Sequence, residues 1–252
     1  MGRLAIMAAM PQELQTLLDA MPDETRVRRA GPDFWVGHWE GRELVVVLSG
    51  IGKVAAATTA TLLLTEFQAT QILFVGVAGG LGADVQVGDV VVATELLQHD
   101  MDASPLFPRF EIPGQGLSRL PTHTALSNAV AAAATQALAT GSGRRTTHAL
   151  DALATQRDAR VHQGLIVSGD RFVSSASEST ALRQALPDAL AVEMEGAALA
   201  QVCHDFGVPF AVVRTISDRA DDTAHVDFGR FIDEVARHVA LDIVRGTLRH
   251  GS

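Results

Sequence analysis

Short apolar runs alternate with longer amphipathic or alanine-rich stretches along most of the chain. The apolar runs predict strands at 4–9, 34–39, 43–48, 72–75, 87–94, 162–167, 190–193 and 210–216. The longer stretches predict helices at 11–21, 53–67, 126–138, 195–206 and 228–247. Strands and helices that alternate in this way are typical of an α/β fold with a mostly parallel sheet and helices on both faces.

Two segments show neither the apolar runs of a strand nor the amphipathic pattern of a helix. Residues 99–114 contain several prolines and are interpreted as a loop. Residues near 140–160 are polar, with glycine, threonine and arginine, and predict a mobile surface insertion. No linker-like segment divides the chain, so residues 1–252 are expected to form a single domain.

The composition indicates a folded protein with neither a nucleic-acid partner nor a membrane span. Apolar residues make up 47 % of the 252 residues and charged residues 19 %, which suits a full core and excludes a disordered chain. The net charge is −9 and the basic residues are scattered, whereas nucleic acid requires a basic stripe. No apolar run reaches the roughly 18 residues of a membrane span, and the first run is too short for a signal peptide, so we expect a cytoplasmic protein.

Cysteine and histidine usage argues against a metal or disulfide framework. The single cysteine, Cys203, excludes an internal disulfide and a cysteine-rich zinc site, and it is interpreted as a small buried apolar residue. No H-x-x-x-H or H-E-x-x-H spacing occurs. His99, Asp100 and Asp102 form a possible metal cluster, although three polar residues in a loop are more often structural. We therefore expect neither a metal nor another cofactor.

Polar and glycine residues follow several predicted strands, and ligands bind at the carboxyl ends of strands in parallel sheets. These residues are Glu13, glycine-rich 49–52, glycine-rich 76–80, Met194 with Glu195, and Ser217 with Asp218. Three carboxylates and two glycine turns are thus predicted to converge on one edge of the sheet.

The two glycine clusters are not known nucleotide motifs. Residues 76–80 lack the G-x-G-x-x-G spacing, and residues 50–53 lack the length and the Ser/Thr of a P-loop. Each cluster is interpreted either as a tight strand-to-helix turn or as a backbone surface that a ribose or base approaches closely. In the cluster at 76–80, Val77, Ala78 and Gly79 would form such a backbone surface.

Glu193 and Glu195 lie in an otherwise apolar stretch, where charged residues are rarely buried without partners. One of them is explained by the start of a helix, where negative charge is favoured. The other requires a partner, for which a sugar hydroxyl of a ligand is a good candidate.

The last predicted strand contains Arg214 and is followed by Asp218. Asp218 is either a solvated turn residue or a partly desolvated carboxyl whose pKa rises so that it can donate a proton. Arg214 lies inside the apolar run, and a buried guanidinium requires an acidic partner. A serine hydrolase is not supported, because no G-x-S-x-G elbow is present.

Seven short motifs occur in the order seen in one family. They are AMPQE at 9–13, SGIGK at 49–53, GVAGG at 76–80, VGD at 87–89, VSGDRF at 167–172, VEME at 192–195 and RTISD at 214–218. From about residue 4 to about residue 245, the chain resembles the 5′-methylthioadenosine/S-adenosylhomocysteine nucleosidases of the nucleoside phosphorylase superfamily. The resemblance implies a three-layer α/β/α fold around a central mixed, partly barrel-like sheet, and a homodimer in which loop 103–113 reaches the partner's site.

The resemblance also implies roles for individual residues. Asp218 resembles the general acid that protonates adenine N7. Glu13 resembles the base that activates water, with Arg214 nearby as an organiser. Glu195 resembles the carboxylate that holds the ribose 2′- and 3′-hydroxyls. The remaining implied roles are Met194 packing on the sugar, Phe172 stacking on adenine, the Val173 backbone reading the base edge, Ser217 orienting Asp218, and Met10, Ile51 and Phe228 lining the apolar wall near the 5′ substituent.

The sequence departs from the family pattern at three places. Val77 stands where many members carry serine, which removes one polar contact from the site. Residues 104–110 replace the usual Phe-Gly-Tyr run, which leaves the preference for the 5′ substituent open. The insertion near 140–160 has no counterpart in shorter members.

These observations predict a hydrolase that releases adenine from 5′-methylthioadenosine and S-adenosylhomocysteine, with an adenine nucleoside and water as its small-molecule partners. Aminofutalosine, an adenine nucleoside with a bulkier 5′ group, is an alternative substrate. A phosphate-dependent phosphorylase is disfavoured because residues 10–18 contain neither arginine nor glycine and Glu13 would repel phosphate. A nucleoside-binding protein without activity would not need the three carboxylates.

Overall fold

The computed structural model describes residues 2–140, 158–220 and 231–250. The strands are β1 (Arg3–Ala8), β2 (Thr25–Arg28), β3 (Asp33–Trp39), β4 (Arg42–Leu48), β5 (Ala69–Gly80), β6 (Val90–Gln98), β7 (Leu120–Pro121), β8 (Val161–Ser168), β9 (Ala189–Glu193) and β10 (Phe210–Asp218). The helices are α1 (Pro11–Leu18), α2 (Lys53–Thr65), α3 (Thr124–Ala139), α4 (Ala176–Ala185), α5 (Gly196–Phe206) and α6 (Arg237–His250), the last preceded by a π-helical turn, Ile232–Ala236.

The strands form one mixed sheet, part of which closes on itself. β10, β6, β8 and β9 follow one another, and both ends of this series pair with β5, so the five strands form a ring. From β5 the sheet continues outward through β1, β4, β3 and β2. β1 pairs in parallel with β4 and β5, whereas β10 is parallel to β5 and antiparallel to β6. The expected mixed, partly barrel-like sheet is therefore confirmed.

Helices cover both faces of this sheet, because successive strand residues point to opposite sides. In β1, Leu4 and Ile6 join the cluster that α1, α3 and α6 bury, whereas Ala5 and Met7 join the cluster that α2 and α5 bury. The α/β/α layering that the resemblance implied is thus confirmed.

Helix α5 packs closely because its sequence is small and apolar. A Cβ at Gly196 would lie 2.6 Å from a terminal carbon of the Leu96 side chain, so a larger residue there would displace that side chain. The helix ends at Gly207, whose left-handed φ of 65° provides the predicted cap. Cys203 is fully buried in α5, and burial raises the pKa of its thiol to about 12, as expected of an inert apolar residue.

The glycine cluster at 76–80 lies inside β5, and the interpretation as a strand-to-helix turn is wrong. Strand β5 runs to Gly80 because β10 and β9 pair with its last residues. A Cβ at Gly76 would lie 2.8 Å from Ala9, and one at Gly79 would lie 2.9 Å from Ala220. The glycines therefore permit the close approach of neighbouring protein groups, and the other interpretation, a backbone surface that a ribose or base approaches, stays a prediction.

Three short elements were not predicted from the sequence. β2 is a mostly exposed edge strand with two arginines, and β7 has two residues. Helix α4 is capped by Ser175, whose hydroxyl accepts the N–H of Glu178, and buries little surface. Charged or polar patterns with so little burial give no hydrophobic periodicity to detect.

Some predictions lie outside the described residues, namely most of the insertion near 140–160 and the residue Phe228. The single domain also stays a prediction. Within residues 2–140, 158–220 and 231–250, no helix is both long enough and apolar enough to cross a membrane.

Candidate active site

A cavity of about 210 Å³ lies at the carboxyl ends of β1, β9 and β10 and against the last residues of β5. It is lined by Ala9, Met10, Ile51, Val77, Ala78, Gly79, Arg171, Phe172, Val173, Val192, Glu193, Met194, Glu195, Ser217 and Asp218. Most of the predicted site residues are therefore brought together. Glu13 and Arg214 do not line the cavity but are fully buried behind its wall.

Asp218 ends β10 and faces the cavity with both carboxylate oxygens held. The Ser217 hydroxyl donates to Asp218 Oδ2 at 2.8 Å, and the Ala220 N–H donates to Asp218 Oδ1 at 2.7 Å. Only 7 % of Asp218 is exposed, so its interpretation as a solvated turn residue is wrong. The carboxyl is desolvated and oriented, which is the arrangement that a proton donor requires.

Glu195 is the residue directly before α5 and lines the cavity. It is 7 % exposed, and its Oε1 accepts the Gly52 N–H at 2.9 Å across the cavity margin. Burial, and then the neighbouring negative charge of Glu193, raise the pKa of Glu195 to about 7. A carboxyl with this pKa, which faces a cavity, can bind hydroxyl groups and change its protonation state near neutral pH.

Glu193 has a different environment, although it is only two residues away. Its carboxylate accepts the N–H groups of Glu195 and Gly196 and forms a 2.7 Å ion pair with Arg214 Nη2. It also accepts a hydrogen bond from the Ser168 hydroxyl. Glu193 is thus the glutamate that the helix start explains, and Glu195 is the one left for a ligand.

Arg214 is buried completely, and its acidic partner is Glu193. Its Nη1 donates to the carbonyl oxygens of Phe74 and Val213, and the guanidinium lies 4.1 Å from the centroid of the Phe74 ring. The requirement for an acidic partner, predicted from the sequence, is confirmed. This cation connects the wall of the cavity to the layer behind it.

Glu13 is in the first turn of α1, directly after β1. The Met10 N–H donates to its Oε2 at 3.0 Å, whereas Oε1 has no hydrogen-bond partner among the described residues. Burial raises the pKa of Glu13 to about 7, against the opposing effects of the Met10 N–H and the Arg214 charge. Because Met10 lines the cavity, Glu13 lies one residue layer behind it.

The apolar surfaces of the cavity come from several loops. Phe172 and Ile51 remain 43 % and 75 % exposed at its margin, while Val173 is buried. The sequence analysis missed Ala9, Arg171 and Val192, each of which is adjacent to a predicted site residue. Adjacency inside the motifs at 9–13, 167–172 and 192–195 was the signal that could have found them.

The possible metal cluster has other contacts. Asp100 Oδ1 accepts a hydrogen bond from Lys53 Nζ at 2.6 Å, and Asp102 accepts the Ser104 N–H at 3.0 Å. Among the residues that the structure describes, no group of three or more His, Cys, Asp or Glu side chains is arranged to hold a metal ion.

The fold and the cavity define an α/β protein whose ring-closed sheet presents desolvated carboxylates at its strand ends. The family model of the phosphorylase superfamily matches residues 3–249, and the chain belongs to this superfamily. Within it, the chain is 34 % identical over 243 residues to a 5′-methylthioadenosine/S-adenosylhomocysteine nucleosidase of Shewanella frigidimarina, covering 96 % of this chain and 97 % of the relative.

Solved structures agree with this assignment. A 5′-methylthioadenosine/S-adenosylhomocysteine nucleosidase from Neisseria meningitidis, in complex with methylthio-immucillin-A, superposes with a TM-score of 0.84 at 33 % identity, covering 99 % of this chain and 100 % of that one. A futalosine hydrolase of Helicobacter pylori has a TM-score of 0.82 at 31 % identity, covering 99 % and 98 %. The resemblance found in the motifs is thereby confirmed.

Proposed function

We propose that this protein hydrolyses the N-glycosidic bond of 5′-methylthioadenosine and S-adenosylhomocysteine, releasing adenine and the 5′-thio-ribose. One observation carries the proposal: Glu195 and Asp218 line one cavity, with Glu13 buried directly behind it. The similarity to nucleosidases over nearly the whole chain supports the substrate class.

Asp218 is the general acid in this proposal. Breaking the C1′–N9 bond builds positive charge on the sugar and negative charge on the base, as in glycoside hydrolysis with a nitrogen leaving group. A proton from Asp218 to adenine N7 neutralises the departing base. Ser217 and the Ala220 N–H support this role because they fix the direction of the carboxyl.

Glu195 and Glu13 act on the sugar and on water, respectively. Glu195 accepts hydrogen bonds from the ribose 2′- and 3′-hydroxyls, and Met194 packs against the ring. Glu13 removes a proton from the attacking water, and Arg214 organises this region through Glu193. A pKa of about 7 suits Glu13 to this task, because a base works best when its pKa is near the working pH.

The remaining lining residues bind the base and the 5′ group. Phe172 stacks on adenine, the Val173 backbone reads the base edge, and the Val77–Ala78–Gly79 backbone lies beside the base and ribose. Met10 and Ile51 form the apolar wall near the sulfur substituent. We further propose a cytoplasmic homodimer, with loop 103–113 contributing to the partner's 5′ pocket, and a reaction that needs no metal or other cofactor.

Phosphorolysis is less well supported on the same fold. A phosphate bound near the end of β1 would be close to Glu13, and two negative groups in a poorly solvated layer repel each other strongly. Aminofutalosine is the second candidate substrate, because the similarity to the Helicobacter pylori futalosine hydrolase is nearly as high as to the nucleosidases. Val77 and the altered residues 104–110 favour neither substrate.

A substrate panel tests the proposal. Methylthioadenosine, adenosylhomocysteine, aminofutalosine, adenosine and inosine are each incubated with the enzyme, with and without phosphate, and the free base is quantified. We expect adenine release from the two thio-nucleosides at a rate independent of phosphate. Strict dependence on phosphate, or release from aminofutalosine alone, would replace the proposed function with the corresponding alternative.

A further inference from the structure

The start of helix α2 is held by two carboxylates from distant parts of the chain. Gly52, the residue before the helix, has a left-handed φ of 91° and no side chain with which to cap it. Its N–H donates to Glu195 Oε1 at 2.9 Å, and the next N–H, that of Lys53, donates to Asp170 Oδ1 at 2.7 Å. One carboxylate belongs to the cavity, and the other lies outside its lining.

Asp170 is itself fixed by a closed set of contacts, here called the Lys53 cluster and comprising Lys53, Asp100 and Asp170. The Asp170 N–H donates to Asp100 Oδ2 at 2.9 Å, and Lys53 Nζ donates to Asp100 Oδ1 at 2.6 Å. Lys53 Nζ also donates to Gln98 Oε1 at 3.1 Å, at the end of β6. The cluster therefore ties α2 to the ends of β6 and β8.

The Lys53 cluster restrains Gly52, whose backbone would otherwise be flexible. Glycine has more backbone freedom than any other residue, so the direction of the Gly52 N–H depends on its neighbours. The Lys53 N–H belongs to the peptide group that follows the Gly52 Cα, so its bond to Asp170 restrains one of the two peptide groups that flank Gly52. A Cβ at Gly52 would lie 3.0 Å from Asp170 Oδ1, which means that the carboxylate also packs directly against this backbone.

We propose that Asp170 is a positioning residue that holds the Gly52 N–H on Glu195 and thereby sets the affinity for the ribose hydroxyls. Lys53 and Asp100 keep Asp170 in place. Asp170 touches neither the base nor the sugar in this proposal, and its effect reaches the substrate only through Gly52 and Glu195. The inference rests on the proposed function, since Glu195 is assigned there to the ribose.

The test compares Asp170→Ala with Asp170→Asn. Asparagine keeps an oxygen that accepts the Lys53 N–H, whereas alanine removes the acceptor. We expect Asp170→Ala to raise the KM for methylthioadenosine about tenfold, the effect of losing one hydrogen bond to a charged group, with kcat changed less than about threefold. Asp170→Asn should restore KM to within about threefold of the wild type.

The Asp23→Ala variant is a matched control. Asp23 also accepts a backbone N–H from a distant element, that of His38, at 2.8 Å, and its side chain is 50 % exposed against 49 % for Asp170. It does not line the cavity. We expect Asp23→Ala to keep the wild-type KM. Inhibition by free adenine should be equal in all variants, because the base is bound elsewhere in the cavity.

A titration that needs no turnover separates this inference from the proposed function. The Glu195 carboxyl is followed by carbon NMR in glutamate-labelled protein, with Glu195→Gln to identify its signal. Its pKa should be higher in Asp170→Ala than in Asp170→Asn, because loss of the Gly52 donor disfavours the charged form. If the wild type releases no adenine, the proposed function fails and the titration alone decides the inference. Equal Glu195 pKa values in the two variants, equal KM values in them, or a raised KM in Asp23→Ala would overturn it.

Discussion

Glu193 and Glu195 are two residues apart, yet they belong to regions with opposite electrostatics. Glu193 borders the cavity, but its carboxylate is fully engaged by Arg214, a serine hydroxyl and two N–H groups. Glu195 is on the cavity side, where burial raises its pKa to about 7 and a single N–H from Gly52 reaches its Oε1. One carboxylate is a structural ion, and the other has hydrogen-bonding capacity left for a ligand.

The difference shows how a site can hold reactive carboxyls next to a stable frame. A buried ion pair with full hydrogen bonding keeps its geometry but has nothing left to offer a substrate. A desolvated carboxyl that forms no direct ion pair keeps hydrogen-bonding capacity and can change its protonation state near neutral pH. Substitutions in the Glu193–Arg214 ion pair should therefore mainly lower stability, whereas substitutions of the other cavity carboxyls should mainly lower activity.

The largest expected effect is that of Asp218→Asn on the cavity side. Asparagine keeps the size of the side chain but has no proton to give, so adenine release should fall by about 10²- to 10⁴-fold. Nucleoside binding should stay within a few-fold of the wild type, and the melting temperature should be nearly unchanged. Single-turnover kinetics and calorimetric binding measure the two quantities.

A matched substitution checks the specificity of that loss. Asp188 is an exposed aspartate that pairs with Arg119 and does not line the cavity, and Asp188→Asn should retain wild-type turnover. Normal turnover of Asp218→Asn would remove the acid assignment and with it the contrast between the two regions.

The pair Glu193→Gln and Glu195→Gln tests the contrast most directly. Glu193→Gln leaves the buried Arg214 charge without its counter-ion and should lower the free energy of unfolding by about 3–5 kcal/mol. Glu195→Gln removes a desolvated carboxyl and its repulsion with Glu193, so stability at pH 7.5 should fall by less than about 1 kcal/mol or rise. Its KM for the nucleoside should increase. Urea unfolding of both variants measures the two stability changes. Equal losses would contradict the assignment of Glu193 as a structural ion and Glu195 as a ligand-binding carboxyl.

The smallest expected effect concerns Glu13 and pH. Its pKa is raised from 4.5 to about 7, so the folded state favours the protonated carboxyl. The associated stability is fully present below pH 4.5, declines as pH rises, and is lost above about pH 7, a change of about 3 kcal/mol. In Glu13→Gln this pH dependence is absent.

Urea unfolding of the wild type and Glu13→Gln between pH 4.5 and 8 measures this effect. The variant should gain stability relative to the wild type as pH rises through this window. Glu195 titrates in both proteins and cancels in the comparison. Parallel stability curves would mean that burial does not disfavour the Glu13 anion.

Part of the site could be read from residue types near strand ends. Arg214 in an apolar run required an acid, and two glutamates in another apolar run required one structural and one ligand explanation. The sequence could not tell which glutamate is structural and which is left for a ligand, because both lie in the same short apolar segment. Ser168 and Arg214 come from β8 and β10, and only their arrival beside Glu193 makes the choice.

Other features of the fold also depended on contacts between distant segments, which the sequence does not show. The glycines at 76–80 suited a turn or a backbone surface for a ribose or base, and the pairing of β10 and β9 with β5 excluded the turn. Helix α4 and strand β2 bury too little surface to leave a periodic signal. The Lys53 cluster joins residues 53, 100 and 170, none of which suggests the others in the sequence.

By itself, the sequence determined the alternation of strands and helices, the chemical types at the strand ends, and the family motifs. These depend on local periodicity and on residues that are close in the chain. The tertiary structure decided which carboxylate is paired and which is free for a ligand, how the sheet closes into a ring, and that Glu195 is held by Gly52, 143 residues away. Desolvation and charge pairing act through space, so they are settled only when distant segments pack together.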